Sequence, residues 1–362
     1  MNSNRIGRFI IHSGMHKTGS TAIQNALSRC EGEVFHYLRW NGNKNHSIPY
    51  LYAFADGGVH ARGDIERQKA IRHGSVLREA LTRELDLLTS EKVMLSGEAI
   101  GAARLGNGVK KLKDFLSLWS DNFDVIMYLR PPRSYSAAEF SQSICSGGTP
   151  SVPIKIDYSG ISELDRAFGP QSVSLIPYIR SKLVMEDVVL DFCSRVGIPM
   201  HKVQSISANA SPSLELLSIL WEVNRYCRSL PVGPGVEVNE ARYKVIRRLA
   251  KFGDQKFIMD PAGVRDYNKV LENLNSLSSR VGIDLGACES DIKKTSLCSN
   301  GHLQEIALES APLLVDYVKN MAETERSKEA EIAISAFESR RDLVAARSVI
   351  MKMIEIEVKK KG

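Results

Sequence analysis

His12-Ser13-Gly14-Met15-His16-Lys17-Thr18-Gly19-Ser20-Thr21-Ala22 is the stretch that decides how this chain reads. The apolar run Phe9-Ile10-Ile11 precedes it and predicts a short buried strand. Ile23, Ala26 and Leu27 follow it at helical spacing. A strand that turns through glycines into a helix start is a cradle for an anion. The unpaired N–H groups of the first helical turn and the positive end of its dipole converge there. Thr18, Ser20 and Thr21 add hydroxyl donors and Lys17 adds a point charge. A glycine-containing turn with no ligand is the plain alternative.

The position of the lysine narrows the anion. A Walker A loop, G-x-x-x-x-G-K-[ST], places its lysine directly after the second glycine so that it reaches a triphosphate. Gly14 and Gly19 keep that offset, but Ser20 stands where the lysine would be, and Lys17 precedes the second glycine. The loop suits a shorter anion gripped by one lysine and a helix N-terminus. His16 reads as a residue that shapes the loop, and His12 as a packing residue at the strand end.

Outward from the loop, three further apolar runs predict buried parallel strands, each followed by helical periodicity: Val93–Ser96, Val125–Leu129 and Val173–Tyr178. Leu77, Leu81, Leu85 and Leu88 mark one intervening helix, and Val109, Leu112, Leu116 and Trp119 another; Leu183, Val184, Val188 and Phe192 mark a helix after the last strand. Alternation of this kind gives an α/β, P-loop-like three-layer fold with a mainly parallel sheet, plus a helical C-terminal region. Ligands in such sheets sit at the strands' C-terminal ends. The expected segments are 1–228, an α/β domain; 229–302, a helical and loop extension; and 303–362, a helical segment that would cap the domain, dimerise it or bind a partner. Ser211-Pro212 reads as a helix N-cap and first position. The polar stretch Asn41 to Gly74 reads as a long insertion.

Among 362 residues the formal net charge is +6, which suits an anionic ligand without arguing for nucleic acid. Arg242, Lys244, Arg247, Arg248 and Lys251 are read as a solvated helix face. The six cysteines form no C-x-x-C pair, so neither zinc nor a disulfide framework is indicated and a cytoplasmic setting is expected. No run is long and apolar enough for a membrane span.

Three strand ends supply the chemistry: the Lys17 loop, Ser96-Gly97-Glu98, and Arg130 followed by Pro131-Pro132-Arg133-Ser134-Tyr135-Ser136. In a parallel sheet they converge along one edge. The form Gly-x-His-Lys-Thr-Gly-Ser/Thr-Thr resembles the 5′-phosphosulfate loop of sulfotransferases that use 3′-phosphoadenosine 5′-phosphosulfate (PAPS), in particular bacterial carbohydrate-type members. Tyr128-Leu129-Arg130-Pro131-Pro132 is similar to the segment that carries the family's 3′-phosphate arginine. The family's serine eight positions on is absent, since Ala138 stands there; Ser134 and Ser141 share roughly one helical face nearby. Val173 to Tyr178 with Arg180, Leu190-Asp191-Phe192, and Asn209-Ala210-Ser211-Pro212 extend the similarity over roughly residues 8 to 225.

The resemblance implies sulfuryl transfer from PAPS, with 3′,5′-adenosine bisphosphate as product, to a hydroxyl or amine on a glycan, glycolipid or small metabolite, without a metal. Gly14, His16, Lys17, Thr18, Gly19, Ser20, Thr21, Arg130, Ser134 and Ser141 would bind the donor. Lys17 would also stabilise the departing phosphate. Glu98 or His46 would be the general base, with Glu98 ranked first. Tyr50, Tyr52 and Phe54 are candidates for lining a sugar cleft. Two other readings stand beside this one: a P-loop kinase, and a catalytically decayed sulfotransferase-like scaffold motivated by Ala138 and the basic C-terminal helices.

Overall fold

The computed structural model describes residues 6–15, 17–29, 35–55, 64–101, 107–203, 211–226, 236–289, 295–325, 327–335 and 340–360. In chain order the elements are β1 (Ile6–His12), α1 (Ser20–Leu27), β2 (Phe35–Tyr37), α2 (Ser47–Phe54), α3 (Asp64–Leu87), β3 (Ser90–Ser96), α4 (Gly108–Leu116), β4 (Phe123–Leu129) and α5 (Pro132–Cys145). There follow α6 (Gly160–Phe168), β5 (Val173–Pro177), α7 (Val188–Val196), α8 (Leu214–Tyr226), α9 (Val236–Arg248), β6 (Phe257–Met259), α10 (Tyr267–Asn275) and α11 (Ser278–Val281). The last are β7 (Thr295–Leu297), α12 (Asn300–Glu325), α13 (Lys328–Ser335) and α14 (Leu343–Lys359). Two units divide them: Met1–Pro131 with Asp157–Ala208 and Glu272–Cys288, and Pro132–Ile156 with Asn209–Leu271 and Glu289–Gly362. The segment limits expected at 228 and 302 both fall inside the second unit.

The first unit is an α/β fold around a five-stranded sheet of order β2-β3-β1-β4-β5, parallel at every pairing. β1 is central, in register with β3 from Ile6↔Ser90 to His12↔Ser96 and with β4 from Phe9↔Phe123 to His12↔Ile126. The four predicted strands are all present. Their near-continuous apolar runs follow from burial on both faces. The chain leaves β1 for one side, returns through β3, and then adds β4 on the other side. That reversal makes the top of β1 a topological switch point, the place where open α/β sheets bind their ligands.

One face of the sheet, through Ile10, Met94, Ile126, Tyr128 and Ile176, packs on Ile23, Ala26 and Leu27 of α1 and on Val189, Phe192 and Val196 of α7. Each Ile, Leu, Val, Met or Phe among them contributes about 1.5–3 kcal/mol on burial. α7 is fixed twice. Asp187 caps it, accepting from the N–H groups of Val189 at 2.7 Å and Leu190 at 3.1 Å. Asp191 accepts from Tyr128 Oη at 2.7 Å and from Arg195 Nε at 2.7 Å. α11 is tied in by Arg280, whose guanidinium donates to both Asp165 oxygens at 2.7 and 2.9 Å.

Several expectations are corrected. β2 escaped notice because three residues carry no periodicity. The described residues of the Asn41 to Gly74 stretch include α2 and the start of α3. Tyr50 and Phe54 are fully or almost fully buried, with Phe54 against Trp40 and Phe115, so they are core rather than cleft lining. Tyr52 is partly exposed and lies edge-on to His73.

In the second unit, α8 is capped by Ser213 rather than Ser211, because the Ser213 hydroxyl accepts from Leu216 N–H at 3.1 Å while donating to Phe252 O at 2.7 Å. β6 and β7 form a two-stranded parallel sheet within segments read as helix and loop. The C-terminal helices build this unit's own core, through Leu303, Leu314, Val318, Val349, Ile350 and Met353. The basic face of α9 is only half solvated: Lys244 pairs with Glu357 at 3.3 Å and Arg248 with Glu329 at 3.3 Å, while Arg247 and Lys251 stay exposed. Among the described residues no helix is long and apolar enough to cross a membrane.

Candidate functional site

The loop between β1 and α1 is anchored at its base by Ser13 N–H, which donates to Ile126 O at 2.9 Å, and by Gly97 N–H, which donates to His12 O at 3.0 Å. The exits of β3 and β4 therefore flank it. Gly19 forms the N-cap of α1 in a left-handed conformation, φ 82°, with no side-chain cap and no acidic residue in the first turn. A Cβ at Gly19 would also come within 2.6 Å of Val188 Cγ1, so glycine is required there on two counts. Thr18 is buried, and its hydroxyl donates to Met15 O at 2.7 Å, closing the turn.

Gly14 lies over a cluster of polar atoms. A Cβ there would overlap Ser20 Oγ and lie 3.2 Å from both His12 Nε2 and Thr18 Oγ1. His12 Nε2, Ser13 Oγ and Ser20 Oγ are buried without a hydrogen-bond partner. Ser13 Oγ faces Gly101, at the end of the short turn that opens with Glu98. A buried polar atom left unsatisfied costs about 1–3 kcal/mol. Three such atoms gather at the base of this one loop.

His12 fills the end of β1, its ring edge-on to Tyr128 and Phe192 at 6.1 and 5.3 Å between centroids, so it does pack as expected. Its second role was not foreseen. Burial holds the imidazole neutral, lowering its pKa to about 4, although the Glu98 carboxylate pulls the other way. Nδ1 lies 2.8 Å from Ser96 Oγ, which also accepts from Gln24 Nε2 at 3.2 Å. When the Ser96 hydroxyl donates to Nδ1, Nε2 carries the proton and faces the loop as an uncharged donor.

The two candidate bases have different surroundings. Glu98 is half-buried at the β3 exit, close enough to act on His12. His46 is fully buried, and both ring nitrogens are engaged. Nδ1 accepts from Ser96 N–H at 2.9 Å, while Nε2 donates to Leu38 O at 2.9 Å and Asn43 O at 3.0 Å. Burial lowers its pKa to about 4. An imidazole so held clamps the segment before α2 onto β3; it has no lone pair to offer an acceptor.

Arg130 stands at the β4 exit and reaches the loop directly, Nη1 donating to Lys17 O at 2.7 Å. Tyr158 Oη donates to Arg130 O at 2.6 Å, and the guanidinium lies 5.6 Å from the Tyr178 ring centroid. Tyr158 gave no sequence signal beyond its type, and Tyr178 only its place at the end of a predicted strand. Lys17 is exposed and left-handed, φ 64°, and Thr21 is exposed at the helix start. Ser134 and Ser141 belong to α5 in the second unit, with the Ser141 hydroxyl donating to Ala137 O at 2.7 Å and Ala138 half-buried on the same helix. His16 lies outside the described residues. Among the described residues no group of three or more His, Cys, Asp or Glu converges as metal ligands.

No family model and no curated protein matches this chain. Among solved structures it is similar to a sulfotransferase from Alicyclobacillus acidocaldarius, with 13% identity over 60% of this chain and 92% of that one and a TM-score of 0.36. At that TM-score the likeness carries no argument, and the functional reading rests on this chain's own residues.

Proposed function

We propose that the chain is a sulfotransferase that takes a sulfuryl group from PAPS. The observation that carries the reading is the loop at the sheet's switch point: the unsatisfied buried atoms His12 Nε2, Ser13 Oγ and Ser20 Oγ at its base, the uncapped N-terminus of α1, and Lys17. Such a set fits a compact oxyanion, and the lysine's place before Gly19 favours a phosphosulfate over a triphosphate.

PAPS would supply an activated sulfuryl group on its 5′-phosphate. Lys17 and the N–H groups of Thr18 to Thr21 hold that phosphate and the negative charge that grows on it as the sulfuryl group leaves. Glu98 takes the proton of the acceptor hydroxyl or amine. His46 is set aside as the base because both its nitrogens are committed. Arg130 meets the 3′-phosphate. The acceptor class, a glycan, glycolipid or small metabolite, follows from the resemblance of the loop.

Calorimetric titration with 3′,5′-adenosine bisphosphate tests the reading. Wild type should bind, and Lys17→Ala should weaken binding at least tenfold. No binding by wild type overturns the proposal, and equal binding by both proteins moves the site elsewhere.

A further inference from the structure

We propose that Arg130 is a positioning residue for the anion loop, orienting the peptide between Lys17 and Thr18 so that the Thr18 N–H is presented to the donor's 5′-phosphate. The inference rests on the donor reading above but acts at the opposite end of the nucleotide from the 3′-phosphate.

Lys17 adopts φ 64°, a left-handed conformation that a residue with a Cβ occupies only when its surroundings impose it. One observed constraint is the Arg130 Nη1 bond to the Lys17 carbonyl, at 2.7 Å. A trans peptide is planar, with its C=O and N–H pointing in opposite directions. Fixing the Lys17 carbonyl on Arg130 therefore fixes the direction of the Thr18 N–H, the first amide proposed to hold the anion. Without that anchor, the peptide plane loses the bond that sets its carbonyl's direction, and a flipped plane would present a carbonyl that repels an oxyanion.

Arg130 is itself held in place. Tyr158 Oη fixes its backbone carbonyl at 2.6 Å, and the Tyr178 ring underlies its guanidinium at 5.6 Å. Tyr178 Oη in turn lies 3.7 Å from the Cβ position of Gly19, beside Val188. The residues after β4 and β5 thus frame both left-handed residues of the loop. A guanidinium has five donors in a rigid fork, so one arm on the loop is compatible with another on a ligand phosphate.

The experiment compares wild type, Arg130→Ala and Arg130→Lys against two ligands. One is 3′,5′-adenosine bisphosphate; the other is adenosine 5′-phosphosulfate, which has no 3′-phosphate. Backbone amide exchange is followed over the loop in the ligand-free proteins. Both variants should bind adenosine 5′-phosphosulfate about tenfold more weakly, the loss expected for one charge-assisted hydrogen bond. Their loop amides should exchange about tenfold faster. A loss confined to the bisphosphate overturns the proposal and leaves Arg130 as a 3′-phosphate ligand only. Loop amides that exchange at the wild-type rate in Arg130→Ala also overturn it, because the peptide would then be held without the guanidinium. If wild type binds neither ligand, the donor reading fails, and loop exchange then decides alone: faster exchange in the variants supports the brace, and unchanged exchange overturns it.

Discussion

Acidifying the protein from about pH 7 to pH 5, with His46 intact or replaced by glutamine, measures what the two buried imidazoles cost. Unfolded, each takes up a proton near 6.5; folded, burial holds that proton off until about 4. Between those values the unfolded chain binds more protons than the folded one, so stability falls as pH falls and rises as pH rises. Integrating the difference gives about 2 kcal/mol lost per imidazole between pH 7 and 5, and about 4 kcal/mol for His12 and His46 together. Glu84 and Glu329 are held below the usual carboxylate range by their hydrogen-bond and ion-pair partners, so the stability they contribute is lost at still lower pH. Urea unfolding at several pH values gives the profile directly. In His46→Gln the slope should halve, since only His12 remains. His46→Ala should cost about 3–5 kcal/mol at pH 7, because it strands Ser96 N–H and the carbonyls of Leu38 and Asn43 around a cavity. A wild-type profile flat from pH 7 to 5 would refute the neutral buried imidazoles. So would an unchanged slope in His46→Gln.

Other outcomes follow from the same geometry. Glu98→Gln should lower turnover by about 10²–10⁴-fold while leaving the dissociation constant of 3′,5′-adenosine bisphosphate within about threefold of wild type, because the amide keeps the shape and loses only the base; a variant that turns over normally removes Glu98 from that role. Gly14→Ala forces a methyl onto Ser20 Oγ and against His12 Nε2, so it should cost about 1–3 kcal/mol and abolish bisphosphate binding, read by thermal denaturation and calorimetry on one preparation. Asp191→Ala removes the shared partner of Tyr128 and Arg195 and should cost about 2–3 kcal/mol in urea, while Asp191→Asn, which keeps an acceptor for the tyrosine, should cost less. Turnover should survive EDTA if Lys17 carries the charge stabilisation, whereas a P-loop kinase would lose its activity.

The sequence by itself determined four of the sheet's five strands and the place of the candidate loop among them. The runs before His12, Ser96 and Arg130, and from Val173, are long and apolar enough to read as buried strands, and glycine at positions 14 and 19 marks the turn into a helix. Once the strands are parallel, their ends must meet, and the order β3-β1-β4 brings the Lys17 loop between Glu98 and Arg130. Short elements stayed hidden. β2, β6 and β7 are three residues each, and pairing with a neighbour, rather than their own pattern, makes them strands. Side-chain roles depended still more on tertiary structure. Nothing in Asn45-His46-Ser47 says that both nitrogens of the histidine are taken by backbone groups from Leu38, Asn43 and Ser96. Nothing next to His12 says that one nitrogen is satisfied by Ser96 and the other left facing Gly14. Arg130 could be placed at a strand end from sequence, but its bond to the Lys17 carbonyl joins residues 113 positions apart. A sequence pattern records which face a residue turns to the core, because periodicity comes from the local backbone. Which partner a polar atom finds there is settled only when distant segments pack together.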